Sequence, residues 1–329
     1  IFNDLLIVVR TCTSSLVRPA PLNNETNMNN DLRQGHLFAL AAFGIWGTFP
    51  IFFKHMSTVP AWEILAYRIS WSMVLLVAFL SLTRQLSSVF SIVFNLSQSR
   101  WLFCSASLIA VNWVTFIWAV NDGRILETSL GYFFTPIVNI LIGLIFFKEK
   151  LRALQWLAVL LATLGVGYQV AMLGHLPWIS LTLALSFGFY GAIRKQTTVS
   201  AINGLAIETL LLCPFALAYL GWLALEDNLS FSMSTPALDL LLISTGLVTI
   251  LPLIWFAAAA RRLPMTTIGF WQYTTPTITM QLAIWLYDEP FDQHKLIPFL
   301  FIWAGLVIFS FDSVSFGRKQ RQWQAQTAR

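Results

Sequence analysis

Ten long apolar runs, separated by short charged gaps, dominate this chain of 329 residues. They occupy residues 36–53, 62–83, 101–120, 126–147, 152–171, 176–193, 203–224, 237–260, 264–287 and 295–313. About 20 consecutive apolar residues carry a helix across the hydrocarbon core of a bilayer. Backbone N–H and C=O groups find no water there, so each run must pair them within itself. A membrane barrel would show alternating segments of about ten residues instead. The expected fold is an all-α membrane protein with ten transmembrane helices.

Composition points the same way. Charged residues make up 11% of the chain, against about 25% in soluble domains. That is too little charge to clothe a soluble core. The net charge of +5 does not imply nucleic acid, because the basic residues are scattered through the gaps rather than gathered on one patch. The sequence contains no GxxxxGK[ST], HExxH or GxSxG pattern. P-loop hydrolysis, zincin chemistry and a serine elbow are therefore not expected, nor is an enzyme or a cofactor. Cys12, Cys104 and Cys213 lack CxxC spacing and read as small packing residues.

Lys and Arg set the expected orientation. Numbering the gaps alternately puts fourteen basic residues on one side of the membrane, including Arg84, Lys148, Arg194, Lys195, Arg261 and Arg262. The other side receives three, Lys54, Arg124 and Lys295. The positive-inside rule then places both termini in the cytoplasm. Residues 1–27 are polar and irregular, and Met28 precedes the first charged stub, so 1–27 read as a leader or disordered tail outside the membrane unit.

The runs repeat. Phe43–Gly47 matches Phe187–Gly191 at an offset of 144, and Glu63 matches Glu208 at 145. An offset of 140 pairs Pro136 with Pro276, Glu149 with Glu289 and Gly165 with Gly305. The expected units are residues 28–173 and 174–315, five helices each, followed by a basic tail at 316–329. Five is odd, so the second unit must enter the membrane inverted. Inverted repeats are a transporter signature, with the solute site near the midplane between the halves.

The segments FGIWGTFP at Phe43–Pro50 and PAWEILAYR at Pro60–Arg68 resemble the RarD-type permeases. So do Asn112-Trp113, Leu130-Gly131-Tyr132-Phe133, Gly269-Phe270, Gln272-Tyr273 and Pro276-Thr277. The resemblance covers about Arg33 to Asp312. It implies the EamA group of the drug/metabolite transporter superfamily, with ten helices in two EamA repeats and movement of small metabolites. Members carry the label "chloramphenicol-sensitive protein", which names no substrate.

A few polar residues inside the runs are candidates for the work. Arg68 lies about 9 Å deep in its helix, where Arg costs roughly 2.5–3.5 kcal/mol. It reads as a clamp for an anionic group on the solute, or as a cation stacked on Trp71. Asn112 reads as solute contact or as glue between helices. Tyr132, Pro136 and Asn139 share one helix face at i, i+4 and i+7. Gln272, Pro276 and Thr279 repeat that face, and Tyr273 adjoins it. The prolines are expected to break their helices and free carbonyls for a solute. Glu63 and Glu208 are candidates for proton coupling, or helix-start acids favoured by the macrodipole. No metal site is expected. The expected partners are a small-molecule solute and the lipid bilayer, for a monomer or homodimer in the bacterial inner membrane. A sensing or lipid-handling protein is the alternative, but its extramembrane surface or polar cluster is missing from these short gaps.

Overall fold

A computed structural model describes residues 25–93, 95–122, 125–173, 177–231, 235–286 and 293–327. The leader up to residue 24 and Glu289 lie outside the described residues. All regular structure among these residues is helical. The helices are α1 (Glu25–Lys54), α2 (Ala61–Leu82), α3 (Leu86–Val93), α4 (Leu96–Asn121), α5 (Ile125–Ile145) and α6 (Ala153–Leu173). They continue with α7 (Trp178–Gln196), α8 (Ala201–Leu225), α9 (Pro236–Arg262), α10 (Met265–Gln272), α11 (Thr274–Trp285) and α12 (Gln293–Thr327).

Seven of these, in α1, α2, α4, α6, α8, α9 and α12, are long and apolar enough to cross a membrane. Gly131–Ile145 of α5 is apolar but shorter. The outer faces carry bare apolar side chains such as Phe215, Leu240 and Phe311. In water such a surface would aggregate; against lipid it is the ordinary surface of a spanning helix. The chain is a multi-pass membrane protein.

Local signals set the helix ends. Pro60, Pro177 and Pro264 immediately precede α2, α7 and α10, and Ser200 accepts a hydrogen bond from the Asn203 N–H (3.1 Å) at the start of α8. Lys54, Arg194, Lys195, Arg261 and Arg262 occupy last turns, where cations complement the helix dipole. The ninth run is split at Tyr273 into α10 and α11, one turn before Pro276. A proline at 276 has no N–H for the Gln272 carbonyl. Pro136 does not act likewise: α5 runs unbroken through it, so the expected break in the first half is absent. The short helix α3 was not expected; its apolar side chains lie against α4 and α8.

The packing pairs form a pattern. α1 lies on α9, α10 and α11; α7 lies on α4 and α5. α2 lies on α9, and α8 lies on α4. α2 meets α8, α5 meets α10, and α6 meets α12. Exchanging each apolar run with the run five places on leaves these pairs unchanged, whereas the α7–α9 packing has no counterpart of its size. Two glycines mark it at atomic scale. A methyl added at Gly165 would sit 2.9 Å from the Pro298 carbonyl oxygen, and one at Gly305 would sit 2.8 Å from the Ala158 carbonyl oxygen. The offset of 140 converts the first contact into the second.

Gly246 brings α9 close against the backbone of α2. A methyl there would lie 2.7 Å from the Trp71 carbonyl carbon and 2.9 Å from the Ser72 nitrogen. Backbone cannot rotate away as a side-chain tip can, and overpacking costs about 1–3 kcal/mol. Gly246→Ala should lower the unfolding temperature in detergent. Gly44→Ala, where nothing lies within 4 Å, should leave it unchanged. Equal melting curves for the two variants would contradict this packing.

Candidate functional site

Arg68 stands one third of the way along α2, surrounded by rings. Its guanidinium carbon lies 6.0 Å from the Phe49 ring centroid, 5.5 Å from Phe53 and 5.6 Å from Trp113. The expected stack on Trp71 is not formed; that residue instead packs its backbone against Gly246. Nε donates to Thr249 Oγ1 at 2.9 Å. The terminal nitrogens donate to no protein acceptor among the described residues, and no carboxylate pairs with the guanidinium there. Thr249 Oγ1 in turn donates to the Thr245 carbonyl (2.7 Å), which fixes its lone pairs toward Arg68.

Three rings hold a cation but do not neutralise it. Each face contributes about 0.5–2 kcal/mol, and the charge itself remains. Tyr132 of α5 lies close enough to interact electrostatically with Arg68. It keeps 47% of its surface accessible, and Phe49, Phe53 and Trp113 are each half-buried. Part-exposed aromatic side chains of α1, α4 and α5 thus wall the space around Arg68, with Thr249 of α9 beside it.

Other candidate residues go elsewhere. Asn112 donates to the Leu183 carbonyl (2.9 Å) and to Ser186 Oγ (3.0 Å), tying α4 to α7. Asn139 donates to Gln272 Oε1 at 2.5 Å, joining α5 to α10 just before the helix break. Asn139 Oδ1 is buried and has no hydrogen-bond partner among the described residues. Thr279 donates to the Gly47 carbonyl (3.2 Å), binding α11 to α1. Tyr273 is fully buried in an apolar cluster with Phe133, Phe299 and Ile302, away from the Arg68 rings. Its side chain packs against this cluster at the junction of α10 and α11.

The two acids have unequal surroundings. Glu63 is fully buried and accepts from the Ser230 N–H and Oγ, both at 2.7 Å. It pins the segment that leads into α9. Glu208 is equally buried but accepts from Ser105 Oγ and from the Tyr190 hydroxyl (3.4 Å), and it lies 3.7 Å from Arg194. Sequence reasoning counted Arg194 among exposed gap residues, yet its side chain is wholly buried. It donates to the carbonyls of Ser200 and Ala201 and lies where a Gly204 side chain would be. Gly204 was the available signal: a glycine one turn into α8 leaves the space that Arg194 fills. A cavity of ≈ 10 Å³, room for one water, is lined by Trp113, Tyr190, Glu208 and Thr209. Trp113 therefore touches both the Arg68 space and the Glu208 network. A larger groove of ≈ 800 Å³ between α3, α4 and α8, lined by Val93, Arg100, Phe103, Cys104, Ile207 and Leu211, holds none of these groups.

At the basic end of the bundle the helices are tied together by Glu149. Lys148 takes a left-handed conformation (φ 52°) after α5 and turns Glu149 back over Gly143. The carboxylate then accepts from the N–H groups of Met265 (2.7 Å) and Thr266 (2.9 Å) at the start of α10. Lys195 donates to the carbonyls of Ala260 and Leu263 at the end of α9. An acid thus caps one helix start and a base caps the preceding helix end, each in its favourable dipole position. Burial lowers the Lys195 ammonium's pKa, and nearby Glu149 opposes this. His36 and Trp271 (2.8 Å), and Arg262 over Phe38 (5.3 Å), bring α1 into the same closure.

Comparison with known proteins adds a kinship. Residues 33–168 match the model of the EamA-like transporter family. An "Uncharacterized transporter" of Vibrio cholerae is 44% identical over 89% of this chain and 97% of its own. "Protein RarD" of Escherichia coli is 46% identical over 86% of this chain and 95% of its own. A "Chloramphenicol-sensitive protein RarD" of Pseudomonas aeruginosa is 32% identical over 87% and 97%. One crystal structure, at 15% identity, covers 86% of this chain and 98% of that one with a TM-score of 0.64, which shows a shared fold.

Proposed function

Because the chain belongs to the RarD-type permeases of the EamA-like transporter family, it is a membrane transporter, and we propose that it is a secondary carrier of small organic solutes. On this reading it works by alternating access in the bacterial inner membrane, with ten spans in two inverted five-helix halves and both termini in the cytoplasm. The solute's anionic group is held by Arg68.

The observation that carries the reading is the guanidinium edge of Arg68, which meets no protein acceptor among the described residues and lies beside part-exposed aromatic rings. A cation within a span, with no counter-charge among the described residues, is costly, and an anionic solute relieves that cost each time it binds. The exchange-invariant packing pairs and the matched contacts of Gly165 and Gly305 support the two-half arrangement. The charge bias supports the orientation. The Glu149 closure then lies at the cytoplasmic end, and the Arg68 space faces outward. Of the two acids, Glu208 suits proton coupling better, because both Glu63 oxygens are taken up by Ser230.

Counterflow into proteoliposomes, with labelled amino acids, nucleosides, amphenicols and aromatic carboxylates, tests the carrier reading. Saturable counterflow of at least one solute is expected. If every solute fails under a proton gradient, a salt gradient and pure exchange, the protein is not a carrier of this kind.

A further inference from the structure

We propose that the Arg68 site takes a monocarboxylate with an apolar, ring-sized body and discriminates against amino acids, dianions and phosphate esters. This inference rests on the carrier reading above and specifies its solute.

The argument is one of charge and lining. Among the described residues the site holds a single unpaired cation, Arg68, and its two terminal nitrogens form a planar fork. That fork matches the two oxygens of a carboxylate. A dicarboxylate or a phosphate monoester brings a second negative charge, which would meet no second cation among the described residues packed on Arg68. Lys54 is the last residue of α1, and Arg84 lies two residues beyond the end of α2. The surfaces beside the fork are Phe49, Phe53, Trp113 and Tyr132, four aromatic side chains from α1, α4 and α5. Such walls desolvate an apolar body well and offer few donors to a sugar or a ribose.

An amino acid would also need a partner for its ammonium. Two buried acids, Glu63 on α2 and Glu208 beside Trp113, are committed. Glu63 accepts twice from Ser230, and Glu208 is held by Ser105, Tyr190 and Arg194. Bringing an ammonium to Glu208 would place it beside buried Arg194, where like charges repel. A neutral molecule forgoes the fork altogether and leaves the cation uncompensated.

The test is competition in the counterflow assay and calorimetric binding to the purified full-length protein in detergent. Benzoate, phenylacetate and indole-3-acetate are compared with phenylalanine, succinate, glucose 6-phosphate and chloramphenicol. The aryl carboxylates are expected to bind at least tenfold more tightly than each of the others. Trp113→Leu should narrow the preference of indole-3-acetate over acetate by several-fold, with the gel-filtration profile unchanged. Preference for phenylalanine, succinate, the phosphate ester or chloramphenicol would overturn the proposed class and leave the carrier reading standing. Failure of all seven to bind or compete, while some other solute shows counterflow, overturns the class too. Absence of counterflow for any solute overturns both.

Discussion

Arg68→Ala is expected to abolish solute counterflow while leaving a folded, membrane-inserted protein. The reason lies in what the residue does and does not hold. Among the described residues it makes one hydrogen bond, to Thr249, and rests on three rings. Removing it also removes a buried charge, so the unfolding temperature should hold steady or rise. The solute, in contrast, loses a forked pair of charge-assisted hydrogen bonds. Each is worth about 1.5–3 kcal/mol, so affinity should fall by at least about 100-fold. Arg68→Lys keeps the charge and loses the fork, and should restore only part of the activity. Counterflow and melting temperature are measured on the same preparations. Wild-type counterflow in the alanine variant would remove Arg68 from the site. A large drop in melting temperature would instead assign it a structural role.

Glu149→Ala should release the closure at the basic end of the bundle. The carboxylate holds two backbone N–H groups of α10, at 2.7 and 2.9 Å. Losing both charge-assisted bonds removes about 3–6 kcal/mol from the closed state. A shift of about 5.5 kcal/mol is enough to turn a 99:1 population into 1:99. Glu149→Gln keeps an acceptor for one N–H and should fall between. The readout is a cysteine placed at Tyr132, in a protein whose native cysteines are alanine, labelled by a membrane-impermeant reagent added from one side at a time. In the parent, labelling should come from the side opposite the basic loops. In Glu149→Ala it should shift toward the basic side. Unchanged labelling in both variants would show that Glu149 is a helix cap and not part of a gate.

Arg68 was legible in the sequence because a cation inside an apolar run is costly wherever it sits. Its cage was not, since Phe49, Phe53 and Trp113 come from two other helices, and aromatic residues occur throughout this chain. Asn139 and Gln272 could be placed on matching helix faces by their spacing. Their bond to each other depends on α5 crossing α10, which no local pattern encodes. Tyr273 shared a motif with Gln272, but adjacent residues on a helix point about 100° apart, and its ring turned into the apolar cluster. Arg194 was misjudged as a gap residue because charge counting assigns position by neighbours in sequence. Its burial required Gly204 on the next helix.

The apolar runs alone determined that the chain is helical and lives in lipid, because unpaired backbone groups have no other solution there. The run count and the recurring offsets shaped the expectation of two mirrored halves, since those depend on length and order along the chain. Tertiary structure decided which polar groups are satisfied and which are left over. Pro136 and Pro276 illustrate the difference: identical residues at equivalent positions, one inside a continuous helix and one beside a break. A proline removes the same N–H in both places. Whether the helix parts there depends on the neighbours against which it packs, and those are set by the fold.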